Sequence, residues 1–172
     1  MFSLEEKIKR LIRKSGPLTF AHFMEMALFD PEDGYYSRGK AAEDYYTSPS
    51  AHPAFGALIA LQLEQMWEIM DKPREFTVVE MGAGRGLLAE DILDFISKWS
   101  ASFYQALRYI AIERGRQKTE DRRQKTGSSP PQADDSKLQK IKSNLIPFRN
   151  ITGCFLSNEL VDSFPVHRIV KQ

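Results

Sequence analysis

Cysteine is almost missing from this chain. Cys154 stands alone, so no intramolecular disulfide can form, and with only three scattered histidines there is little from which to build a zinc site. A reducing compartment such as the cytoplasm suits a chain of this kind. No stretch approaches the roughly 18 consecutive apolar residues of a membrane span. Residues 1–14 carry Glu5 and Glu6 and have no apolar central run, which fits neither a secretory signal nor an acid-poor transit peptide, so the expectation is a soluble, untargeted protein. An excess of one charge is also lacking: 24 Lys and Arg face 23 Asp and Glu, a net charge of +1. Nothing global therefore draws the chain to nucleic acid or to an anionic membrane. What is present is 172 residues, 42% of them hydrophobic, enough for one main core and a small appended segment.

Periodicity divides the chain. Ser3 and Glu6 form a capping-box pair, and Leu4, Ile8, Leu11 and Ile12 recur at helical spacing until Gly16 and Pro17. Thr19 can cap a second helix with Phe20, Phe23, Met24, Ala27 and Leu28 on one face, ending at Asp30-Pro31. The following "DPEDGYYSRG" has the composition of turns, with Gly34 available for a positive φ. A third helix starting near Ser50 would place Phe55, Ile59, Leu63, Met66 and Met70 on one face. Phe76 to Met81 has the composition of a buried strand, Leu87 to Trp99 of a helix, and Tyr109 to Glu113 of a second strand. This βαβ order implies a parallel sheet.

Residues 114–142 differ in character. They include no aromatic residue and carry nine Lys or Arg against four Asp or Glu. A basic nucleic-acid groove usually interleaves aromatics, so the expectation is a mobile, solvated loop with a frayed helix on each side. "ITGCFLSNELVDSFPVHRIV" then supplies a third strand ending near Ser157, a turn, and a return to β-like residues.

The chemistry concentrates in "VVEMGAGRGLLAEDIL", Val78 to Leu93, where a strand runs into glycines at every second position and then a helix. A dinucleotide fingerprint would need a third glycine at position 87, which is Leu, and a P-loop would need Gly-Lys-Ser/Thr where Gly86-Leu87-Leu88 stand. The spacing Glu80-x-Gly82-x-Gly84-x-Gly86 resembles the first motif of class I S-adenosylmethionine-dependent methyltransferases. That ligand carries an ammonium, which Glu80 can attract, and a carboxylate, which suits amides at a helix start. A second acid ending the next strand would accept from the ribose hydroxyls, and Glu113 is there. The other reading of the glycines is a tight structural turn.

Longer segments are similar to one family, the bacterial MidA-like methyltransferases, whose mitochondrial relatives are protein arginine methyltransferases required for respiratory complex I assembly. The similarity rests on Gly16–Gly39, Tyr46–Trp67, the glycine loop and Gly153–Val170. It implies an α/β, Rossmann-like class I methyltransferase fold: a helical extension over 1–72 and a partial methyltransferase domain over 73–172. Family chains are about twice as long, so an incomplete sheet is expected. They also often follow the second-strand acid with Ser-Pro, where this chain has Arg114-Gly115.

The resemblance implies S-adenosylmethionine as cofactor, no metal, and an arginine of a protein partner as methyl acceptor. Glu80, Gly82, Ala83, Gly84, Gly86 and Glu113 would hold the cofactor. Thr47 and Ser48 would either contact its methionine end or cap a helix. Tyr35 and Tyr36 would either cover the adenine or pack in a core. Asn158 would complete the cofactor side or cap a turn. If a helical turn begins at Asn158, Glu159 and Asp162 fall three apart on one face and form a carboxylate pair able to grip a guanidinium, or else local turn contacts. A non-catalytic assembly factor that binds cofactor on the same fold is the alternative.

Overall fold

The computed structural model describes residues 2–38, 48–114 and 137–171. Thr47 and most of the expected loop, residues 115–136, lie outside the described residues. The chain divides into two compact units at Asn158–Glu159 and between 46 and 47, one containing 2–38 and 159–171, the other 48–114 and 137–158.

In the first unit, α1 (Leu4–Ser15) begins at the expected capping box, with the Ser3 amide donating to Glu6 Oε2 at 2.8 Å and the Glu6 amide donating to Ser3 Oγ at 3.3 Å. Helix α2 (Phe20–Phe29) is capped by Thr19, whose hydroxyl oxygen accepts from the His22 amide at 3.2 Å. Beyond α2, Asp30 Oδ1 accepts from the Glu32 and Asp33 amides at 3.1 and 2.8 Å. The Lys7 ammonium from α1 reaches Asp30, Glu32 and Asp33 at 3.1, 2.7 and 3.2 Å. These three carboxylates thus already surround a cation supplied by the chain. Gly34 does not take the positive φ expected of it. It is glycine because the backbone folds back so closely that a Cβ would lie 2.5 Å from the Asp30 nitrogen. Tyr36 stacks on Phe29 with centroids 5.3 Å apart, and Arg168 lies 5.5 Å over the Phe20 ring.

The second unit is built on four parallel strands in the order β3-β2-β1-β4: β1 (Phe76–Met81), β2 (Leu107–Glu113), β3 (Leu138–Lys142) and β4 (Gly153–Leu156). Strand β1 is central, paired with β2 from Phe76↔Leu107 to Met81↔Ile112 and with β4 from Thr77↔Gly153 to Glu80↔Leu156. One face packs Phe76, Val78, Leu107 and Tyr109 beneath Ala60, Leu63 and Trp67 of α4 (Ala54–Ile69) and Leu88, Ala89, Ile92 and Ile96 of α5 (Leu87–Trp99). The other face gathers Val79, Ile110 and Ile112 with Ile141, Phe148 and Ile151. This is a Rossmann-like arrangement in which ligands bind beyond the carboxyl ends of the strands.

Four details differ from the sequence expectations. The long helix does not start near Ser50: α3 (Ser48–Ala51) is a separate turn, and α4 begins after Pro53, where His52 Nδ1 accepts from the Ala54 amide at 2.9 Å. Its buried stripe is centred on Ala60, Leu63 and Trp67, while Met70 is exposed. A further helix, α6 (Ala101–Ala106), precedes β2, which starts at Leu107 rather than Tyr109. No frayed helix is found over 138–142; those residues form edge strand β3, whose lysines are the charged side chains that protect an open edge. Finally, β4 ends at Leu156 and no strand follows it over 164–171.

Candidate cofactor site

The βα turn after β1 is held from several sides. Its Gly82 and Ala83 amides donate to the Ile112 carbonyl at 2.9 and 3.1 Å, and the Gly86 amide donates to Ala83 O at 2.8 Å. Gly82, Gly84 and Gly86 have φ of 71°, 54° and 86°, left-handed values that L side chains resist. Around Gly84 a Cβ would meet nothing within 4 Å, so the loop presents bare backbone to open space there.

Glu113 ends β2 beside this turn. Its Oε2 accepts from the Gly84 amide at 2.6 Å and its Oε1 from the Arg114 amide at 3.0 Å. Two N–H donors therefore fix the carboxylate, and each oxygen retains lone-pair capacity for a further donor such as a hydroxyl. Within α5, hydrogen bonding starts with the Glu90 amide to Gly86 O at 3.0 Å. The amides of Leu87, Leu88 and Ala89 are left as helix-start donors suited to an anion. The glycine amides themselves are already bonded within the protein.

Glu80 is placed differently from the other acid. It is 3% exposed on the β1 face covered by the helices, and it accepts from the Tyr109 hydroxyl at 2.9 Å. Burial pushes its pKa up to about 7; the Tyr109 hydrogen bond opposes the rise and the Glu113 charge adds to it. Burial, with the neighbouring Glu80, also raises the Tyr109 phenol. Tyr109 was not foreseen as part of this site. A tyrosine in an otherwise apolar parallel strand is the signal for it, since a buried phenol requires a polar partner.

The remaining candidates divide between the two units. Ser48 is exposed and is the first residue of α3. Asn158 is half-buried just after β4, in the unit that carries the sheet. Glu159 and Asp162 are exposed and belong to the first unit. No helical turn begins at Asn158: Glu159 has φ of 50°, and the turn is a 3-10 helix over Val161–Ser163. The three-residue spacing of a regular helix therefore does not describe the Glu159–Asp162 pair.

The family model described as "Putative S-adenosyl-L-methionine-dependent methyltransferase" matches residues 58–172. The mitochondrial protein arginine methyltransferase NDUFAF7 of Mus musculus is 28% identical over 179 aligned residues, which cover 93% of this chain and 41% of that protein. The Drosophila melanogaster homolog is 36% identical over 101 residues, 56% of this chain and 23% of its own length. The crystal structure of a Burkholderia thailandensis protein bound to S-adenosyl-homocysteine superposes with a TM-score of 0.68 at 24% identity, covering 94% of this chain and 42% of that one. That likeness shows the fold. The chain spans less than half the length of these relatives. With the match running from α4 through the glycine loop and past β4, the chain belongs to this family of S-adenosylmethionine-dependent methyltransferases, the MidA-like group its sequence resembles.

Proposed function

We propose that the chain supplies the cofactor side of a methyltransferase acting on arginine in a protein substrate. The observation that carries the cofactor half of this reading is the 2.6 Å bond between Glu113 and the Gly84 amide. It fixes a strand-end carboxylate against a loop whose backbone is bare at Gly84. The residues fit the group: Glu113 would accept from the ribose hydroxyls, and the helix-start amides of Leu87 to Ala89 would donate to the carboxylate. Asn158, Ser48 and Thr47 are further candidates for the methionine end. When bound, the cofactor supplies an electrophilic methyl group on a sulfonium. The protein's task is then alignment in a water-poor pocket, which needs no metal.

The arginine half rests on the names of the relatives. Glu159 and Asp162 are proposed as guanidinium partners acting as separate carboxylates, each able to accept from one edge of the donor fork, since no helical turn holds them as a pair.

Calorimetric titration tests the cofactor reading. S-adenosyl-homocysteine is expected to bind, and NAD and NADP to give no heat. Glu113→Gln keeps a carbonyl oxygen for the Gly84 amide but loses the charge, so binding should weaken by about 1.5 to 3 kcal/mol. An unchanged Kd would move the ribose contact to another residue. Labelled methyl transfer to a lysate, followed by amino-acid analysis, tests the substrate; label on lysine or a carboxylate rather than arginine would refute it.

A further inference from the structure

The glycine loop is also gripped from the edge of the sheet. Lys140, in the middle of β3, donates to Glu90 Oε1 at 2.8 Å and to the Arg85 carbonyl at 3.4 Å. Its stem fills the space that Gly86 leaves: a Cβ on residue 86 would sit 3.0 Å from both Cε and Nζ of Lys140. Arg85 lies between Gly84, which faces open space, and Gly86, which Lys140 covers, and Glu90 lies in the first turn of α5. One side chain therefore links the loop to the helix that follows it.

Helix stability does not account for this placement. The amino end of a helix carries partial positive charge, so an ammonium there is on the disfavoured end of the dipole. Glu90 offsets that repulsion, and the pair is half-exposed, at 52% and 53%, a setting in which ion pairs contribute little. An anion docking on the amides of Leu87 to Ala89 gains from the ammonium chiefly because Lys140 neutralises Glu90, whose carboxylate would otherwise repel it.

We infer that Lys140 is a positioning residue for cofactor binding: through the Arg85 carbonyl and Glu90 it sets the shape of the glycine loop, and its charge favours the carboxylate end of the ligand. This rests on the cofactor reading of the loop given above. Lys140 does not itself take part in the reaction.

The test compares Lys140→Ala, Lys140→Arg and wild type in two assays. Amide hydrogen exchange of the ligand-free chain reads the brace directly, and faster exchange at residues 84–88 is expected in Lys140→Ala, with β1 and the middle of α5 unchanged. Calorimetry then compares S-adenosyl-homocysteine with 5′-methylthioadenosine, which keeps the adenosine but lacks the carboxylate. Lys140→Ala should weaken the first roughly fivefold, the upper end for a half-exposed pair, and the second less than about twofold. Lys140→Arg should restore binding. Unchanged exchange in the loop, an unchanged Kd for S-adenosyl-homocysteine, or equal losses for the two ligands would each overturn the inference. A wild-type chain that binds neither ligand would instead defeat the cofactor reading, while the exchange comparison still decides whether Lys140 braces the loop.

Discussion

Gly153→Ala is expected to unfold the sheet unit or to destabilise it by more than about 3 kcal/mol, combining over-packing with a left-handed backbone. Gly153 opens β4 at φ of 149° and pairs with Thr77 of the central strand. A Cβ there would lie 1.9 Å from the Thr77 carbonyl oxygen and 2.7 Å from two further backbone atoms of Thr77. Backbone of a central strand cannot rotate aside as a side chain would, so β4 has to move or detach. Urea unfolding followed by circular dichroism gives the stability. The labelling rate of the Cys154 thiol, half-buried next to Gly153, reports detachment. A variant within about 0.5 kcal/mol of wild type and labelled at the same rate would show that β4 has slack at this position.

The second large effect is in the pH dependence. Glu80 has a folded pKa of about 7 against a reference value of 4.5, so the folded protein binds this proton more tightly than the unfolded chain. Stability therefore falls as pH rises from 4.5 to about 7. The cost is absent below that window and at full size above it, about 3 kcal/mol at about 1.4 kcal/mol per pKa unit. Glu80→Gln removes the titration while its amide oxygen can still accept from the Tyr109 hydroxyl. Thermal or urea unfolding of the variant between pH 5 and 8 should lack the decline seen in wild type, whatever the absolute offset. Parallel profiles for the two proteins would mean that Glu80 stays ionised in its buried setting.

Elements with local punctuation were legible in the sequence. Helix α5 runs from Leu87 to Trp99 as expected, because Gly86 turns the chain into it and Ser100 turns the chain out. The capping box fixed the start of α1 in the same way. Strand β3 was not legible: a stretch carrying Lys137, Lys140 and Lys142 has the composition of solvated loop, and it becomes a strand through its ladder with β2, from Tyr109↔Leu138 to Glu113↔Lys142. Six-residue α6 is too short for a helical period to register. At the site, the closeness of Glu113 to the glycines followed from strand-helix-strand order. The partners Tyr109–Glu80 and Lys140–Glu90 join residues far apart in the chain, and nothing local encodes either pairing.

The central position of β1 also bears on the time course of folding. Its β2 neighbour arrives after two intervening helices, α5 and α6, but its β4 neighbour must come from residue 153 to meet residue 77. Long-range parallel pairing incurs loop-closure entropy before any contact compensates for it, which makes such sheets slow to assemble. The β1-α5-β2 segment is therefore expected to gain protection from hydrogen exchange first during refolding, with the β1–β4 ladder closing last. Until it closes, one whole side of β1 remains an unpaired edge, and refolding yield should fall as protein concentration rises.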